Sequence, residues 1–248
     1  MTVSAIVPTY CEAEHAPTVV TELEAHGVDE VIVVDDSPDT ATAHAVRDVS
    51  DDVAVLRRPN GSGLASAVVA GFAHAGGDVV VVMDADGQHP TDRVPALVDA
   101  VERGADVAVG SRHRADTPMT ADWSIGRYVT SFGGAVLAWA ALPPARQHLQ
   151  DPMSGFFAVD RRVIAPALDA DELQPRGFKI LLEVLARCPV RRIAEVPAAF
   201  HDRAGGESNL DASEYLQFAL HTLELAWVYR TTPTVQRLPA EVATDGGS

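Results

Sequence analysis

Val79-Val80-Val81-Val82-Met83-Asp84-Ala85-Asp86-Gly87-Gln88-His89-Pro90 runs from four consecutive valines into two carboxylates one residue apart. An unbroken β-branched run without polar alternation describes a strand buried on both faces, as in a parallel sheet covered by helices. The same pattern recurs upstream and downstream. Short apolar runs at 3–7, 30–34, 53–56, 78–83 and 105–109 read as strands. Longer Ala-rich segments at 12–26, 39–49, 64–75 and 93–103 read as the crossover helices between them. This is an α/β fold with a mostly parallel sheet and helices on both faces. Such sheets place ligands beyond the carboxyl ends of their strands, so the residues that follow each strand carry the functional expectation.

After Gly110 the alternation stops. An apolar helix is expected over 123–142, a loop running into a strand over 151–159, and a short amphipathic helix over 178–187. A strand over 191–200 and a helix over 211–230 complete the expected elements. We expect residues 1–230 to form one domain and the polar, low-complexity tail 231–248 to be disordered.

The 248 residues include 19 basic and 35 acidic side chains, a formal charge of −16. That balance excludes a basic face that would track phosphates along a nucleic acid. The basic set is 18 arginines and one lysine, Lys179. An acidic, lysine-poor chain suits a salt-accumulating cytoplasm; an ordinary GC-rich genome explains the Arg/Lys skew but less of the acidity. The two cysteines, Cys11 and Cys188, lie far apart and in no metal-ligand spacing, which fits a reducing compartment. Cys11 is expected to be a small buried residue. No leader is expected, because residues 1–8 already read as a strand. The longest apolar run, 132–142, is too short to cross a bilayer. A cytoplasmic protein, with peripheral membrane contact at most, is the resulting expectation.

Alternate residues at a strand end point the same way, so Asp84 and Asp86 can reach one point. Two carboxylates there repel unless a cation lies between them, and hard oxygen ligands suit Mg²⁺ or Mn²⁺. A pair of acids capping the next helix would give the same spelling. Asp35-Asp36 ends the second strand in the same manner, either to accept hydrogen bonds from a nucleotide or to cap the following helix, with Ser37 or Asp39 sharing that task. Tyr10 and Glu12 end the first strand. His89 reads as a residue that shapes the loop before Pro90 and not as an acid. The apolar helix around 132–142 serves either core packing or contact with a lipid.

Taken together these residues resemble the family 2 glycosyltransferases, in particular their dolichyl-phosphate mannose synthase branch. The matching motifs are I-V-P-T-Y-x-E (6–12), V-V-D-D-S-P-D (33–39), R-P-N-G-S-G-L-A-S-A (58–67) and M-D-A-D-G-Q-H-P (83–90). They continue with G-S-R (110–112), G-R-x-x-x-S (126–131), D-P-M-S-G-F-F (151–157), G-F-K-I-L-L-E (177–183), E-V-P (195–197) and F-x-x-R-x-x-G-E-S (200–208). The resemblance implies a GT-A-type, Rossmann-like fold and inverting, metal-dependent transfer of a hexose, from GDP-mannose or UDP-glucose, to dolichyl or another polyprenyl phosphate. It implies a nucleotide pocket of Pro8, Tyr10, Glu12, Val34 and Asp36, and a diphosphate and metal site of Asp84, Ala85 and Asp86 with Gln88. It places Arg112, Arg127 and Ser131 at the acceptor phosphate, and Lys179 and Arg203 near the transferring phosphates and sugar. Asp86, Arg112, Lys179 and Arg203 are the implied catalytic set. The chain departs from the family at Cys11, where Asn is frequent, and at Asn209, where Lys is usual. The same fold could also serve a glycan or other lipid acceptor, or a non-catalytic nucleotide-sugar-binding subunit.

Overall fold

The computed structural model describes residues 1–61, 63–112, 138–139, 149–174, 179–200, 212–231 and 241–242. The first half alternates as expected: β1 (Val3–Thr9), α1 (Ala16–Ala25), β2 (Glu30–Asp35), α2 (Ala41–Arg47), β3 (Ala54–Arg57), α3 (Leu64–His74), β4 (Val79–Val82), α4 (Val94–Glu102) and β5 (Val107–Ser111). There follow β6 (Phe157–Asp160), α5 (Arg161–Asp169), α6 (Ile180–Arg187), β7 (Arg192–Pro197), α7 (Ala212–Thr231) and β8 (Glu241–Val242). Helix α5 has no counterpart in the sequence expectations. Asp160 starts it by accepting the Arg162 N–H at 2.9 Å, an N-cap that sits where strand and helix share one residue.

The strands form one eight-stranded sheet in the order β3-β2-β1-β4-β6-β5-β7-β8. All pairs are parallel except those of β6, which runs antiparallel to both β4 and β5. Residue parity divides the core. Ile6, Ile32, Val34, Val80 and Val82 face α3, α5, α6 and α7, while Ala5, Val7, Val31, Val33, Val79 and Val81 face α1 and α4. The sheet is therefore covered on both sides, which is why its strands lack polar alternation. Close approach of α3 to β1 requires Gly71, where a Cβ would lie 2.5 Å from Ile6 Cγ2.

At the far edge, β8 pairs with β7 through Arg192↔Glu241 and Ile193↔Val242. An edge strand offers unpaired backbone groups for such a pairing. The helix expected over 123–142 lies outside the described residues save for helical Ala138 and Trp139. Trp139 Nε1 donates to the Leu149 carbonyl at 2.8 Å. Cys11 is exposed and not buried. Its φ of 57° is left-handed, a conformation that Asn tolerates better than most residues, which gives a physical reason for Asn at this family position.

Candidate active site

The carboxyl ends of β1, β2 and β4 open onto a cleft of about 440 Å³. Pro8, Thr9, Tyr10 and Glu12 form one wall, Asp36 with Gly61, Gly63, Leu64 and Ala67 another, and Asp84, Ala85 and Asp86 the floor. Tyr10 is 66% exposed at the lip, whereas Asp86 is only 6% exposed. Val34, the remaining expected nucleotide residue, does not line the cleft: its side chain is wholly buried in the core beneath it.

The acidic pair after β2 divides its work. Asp35 is fully buried and accepts the Ser37 N–H at 3.0 Å and the Thr9 hydroxyl at 3.3 Å, with Arg57 Nε 3.3 Å away. Asp36 reaches the cleft, where Arg58 donates to both its oxygens at 2.9 Å. Arg58 is in turn anchored on the Ser66 carbonyl and hydroxyl at 2.7 and 2.8 Å. Asp39 assists the start of α2 by accepting the Ala41 N–H at 3.0 Å. The Gly61 backbone lies so close to Asp36 that a Cβ there would fall 2.2 Å from the carboxylate. Gly61, within the G-S-G motif quoted above, is therefore a packing surface for Asp36, a role that its spelling did not disclose.

The loop after β4 is tied to itself. Gln88 N–H donates to Asp86 Oδ1 at 3.1 Å, and Asp84 N–H to His89 Nδ1 at 2.9 Å. Gly87 closes the turn at φ +71°. His89 is 6% exposed, and burial pushes its pKa down to about 4, Asp86 opposing the shift and Arg112 and Lys179 adding to it. It is neutral at pH 7 and holds the loop, as its position before Pro90 suggested.

Beyond β5, Arg112 forms a two-pronged ion pair with Asp151, Nε to Oδ2 at 2.6 Å and Nη2 to Oδ1 at 2.8 Å. Its guanidinium also lies 5.1 Å above the Phe200 ring. Asp151, 1% exposed, holds this cation in one plane. Glu195 on β7 accepts the N–H groups of Gln150 and Asp151 at 2.7 and 3.0 Å and so fixes the Asp151 loop; burial raises its pKa. The same loop supplies the Met153 carbonyl, to which Lys179 Nζ donates at 2.7 Å. Burial, then the Arg112 charge, push the Lys179 pKa down to about 8. Asp151 and Glu195 escaped the functional reading of the sequence, although both stand in motifs that it singled out. Arg127, Ser131, Arg203 and Asn209 lie outside the described residues.

The donor set suits a hard divalent cation. Two strand-end carboxylates line one cleft, and among the described residues no group of three or more His, Cys, Asp or Glu side chains is arranged to hold a metal by itself. A site with so few protein ligands completes its shell with phosphate oxygens and water.

A doubly covered sheet with a carboxylate-floored cleft at its carboxyl edge suits a nucleotide-sugar transferase. The family model described as glycosyl transferase family 2 matches residues 4–164, and the chain belongs to that family. It is 38% identical over 230 residues to a dolichol-phosphate mannosyltransferase of Pyrococcus furiosus, covering 91% of this chain and 64% of that relative. It is 33% identical to the Saccharomyces cerevisiae enzyme of the same name, covering 90% and 86% of the two chains. It is 35% identical to an undecaprenyl-phosphate mannosyltransferase of Micrococcus luteus, covering 85% and 88%. The GT-A-type fold is shared with glucosyl-3-phosphoglycerate synthase of Mycobacterium tuberculosis, crystallised with Mn²⁺, UDP and phosphoglyceric acid: TM-score 0.62, 20% identity, 94% and 79% coverage.

Proposed function

We propose that this chain, with residues 1–230 as one catalytic domain, transfers a hexose from a nucleotide sugar to a polyprenyl phosphate with inversion at the anomeric carbon. Mannose is the sugar that the relatives' names favour. The observation that carries the reading is the juxtaposition of an acidic cleft floor, Asp84 and Asp86, with two cations, Arg112 and Lys179, across the Asp151 loop. Donor diphosphate and acceptor phosphate are both anionic and must meet at one carbon, so their repulsion has to be relieved by fixed positive charge.

In this reading Pro8, Tyr10, Glu12 and Asp36 receive the nucleoside. Asp84 and Asp86, with Gln88, hold Mg²⁺ or Mn²⁺ against the donor diphosphate. When bound, the metal acts as a Lewis acid that neutralises charge on the leaving group. Arg112, held flat by Asp151, grips the acceptor phosphate together with Arg127 and Ser131. Lys179, and Arg203, offset charge near the transferring sugar. The acceptor is already an ionised phosphate, so no side chain needs to remove a proton before attack.

In this reading the protein works at the cytoplasmic membrane face, where it meets its lipid acceptor. Among the described residues no helix is long and apolar enough to cross a membrane. Helix α7 exposes Leu220 and Leu223 by 59% and 61%, with Trp227 exposed one turn on. Leu and Trp on one exposed helical face suit peripheral contact with lipid.

The test is incubation in molar KCl with Mg²⁺ or Mn²⁺, dolichyl phosphate, and labelled GDP-mannose or UDP-glucose in parallel. Label entering the organic phase from one donor supports the proposal and names the sugar. Donor binding without transfer moves the reading to another acceptor or to a binding subunit.

A further inference from the structure

We propose that His89 is a positioning residue for the metal-binding carboxylates, acting through the backbone of Asp84; this rests on the reading of Asp84 and Asp86 as the metal pair. The sheet stops holding the chain just before the site. Met83 N–H still donates to the Ile6 carbonyl at 3.2 Å, whereas the next N–H, that of Asp84, donates to His89 Nδ1 at 2.9 Å. The imidazole thus takes over from the strand ladder at the residue where the chain leaves the sheet. Fixing that amide fixes the backbone torsions from which the Asp84 carboxylate projects.

The ring cannot turn away from this task. It stacks on Phe156 with centroids 5.3 Å apart at 15°, and meets Phe200 edge-on at 4.7 Å and 71°. With Nδ1 accepting, the neutral ring carries its hydrogen on Nε2, 3.9 Å from Asp84 Oδ2. One ring therefore faces both the amide and the carboxylate of Asp84. Phe200 also carries Arg112 at 5.1 Å, so the stack spans from the metal loop to the acceptor side. Gly155 closes the pocket from the other side: a Cβ there would lie 3.4 Å from Asp84 Oδ2 and 3.6 Å from His89 Cε1. Outer partners that orient metal ligands typically change metal affinity by about 10–100-fold when removed.

A filler of the same space would do none of this, and two substitutions separate the roles. His89→Phe keeps an aromatic ring and removes the acceptor; His89→Asn keeps an acceptor oxygen near the Nδ1 position and removes the ring. Mn²⁺ affinity is measured by electron paramagnetic resonance of free Mn²⁺ at saturating GDP, beside the melting temperature without metal. The proposal expects His89→Phe to bind Mn²⁺ about 10–100-fold more weakly and His89→Asn to stay within a few-fold of wild type. Wild-type affinity in His89→Phe overturns it, as does an equal loss in His89→Asn with an unchanged melting temperature. Should His89→Phe not fold, His89→Leu, which also lacks the acceptor, takes its place under the same criterion. If the metal reading itself is wrong, wild type and Asp86→Ala take up Mn²⁺ alike, an outcome distinct from both.

Discussion

Lys179 offers a titration that can be read without ambiguity, because it is the chain's single lysine. Burial and the neighbouring Arg112 push its pKa from 10.5 down to about 8. At pH 7 a midpoint near 8 leaves roughly a tenth of the amine uncharged, against roughly 0.03% for an ordinary lysine, about a 300-fold rise in the neutral form. The ¹³Cε chemical shift of uniformly labelled, metal-free protein, followed from pH 6 to 11, gives the midpoint directly. Since the folded value lies below the unfolded one, the unfolded chain binds more protons between about 8 and 10.5. Lys179 therefore costs stability below pH 8, and that cost is relieved as pH rises through this window. Binding has the opposite dependence: the charged amine attracts diphosphate, so donor affinity in this side chain's keeping falls as pH rises above about 8. An added nucleoside diphosphate should in turn raise the midpoint, and Lys179→Arg should flatten the alkaline decline because guanidinium stays charged. A midpoint at 10 or above in the free protein refutes the burial argument. A midpoint indifferent to nucleoside diphosphate refutes the phosphate role.

Asp86→Ala should abolish Mn²⁺-dependent binding of nucleoside diphosphate in calorimetry; unchanged binding would remove Asp86 from the metal site. Gly61→Ala should displace the Asp36 carboxylate, against which its Cβ would stand at 2.2 Å, and weaken donor binding while acceptor KM changes little. Glu183, fully buried between His221 at 2.6 Å and Arg187 at 2.5 Å, should cost about 3–5 kcal/mol when replaced by Leu, since a buried cation loses its partner. Urea unfolding of Glu183→Leu checks this, and a midpoint equal to wild type would show that the cluster is not a buried charge pair. Leu220→Ser with Leu223→Ser should reduce flotation with neutral phospholipid vesicles while leaving nucleotide binding intact; undiminished flotation would move the membrane contact elsewhere.

Much of the cleft was legible in the sequence because its residues follow strands that local pattern alone reveals. Asp36, Asp84 and Asp86 stand directly after β-branched runs, and any parallel sheet brings such strand ends to one edge. Val34 is adjacent to the site in sequence, and strand alternation turns its side chain into the core. Cys11 misled because its exposure depends on a left-handed backbone, which composition does not report. Helix α5 was missed because it starts at Asp160, the last residue of β6, with no intervening loop to announce it.

The sequence by itself determined the parallel α/β class and the strand-end carboxylates, since each rests on spacing within one segment. Only the tertiary structure decided what holds the cations. Arg112 meets Asp151 across 39 residues, and Glu195 fixes the Asp151 loop from 44 residues further on. Those meetings depend on β6 entering antiparallel between β4 and β5, and on β7 lying beside β5. Strand order is set by how buried faces pack over the whole chain. No local period encodes it, so the partners that orient the charged groups emerge only when the sheet is assembled.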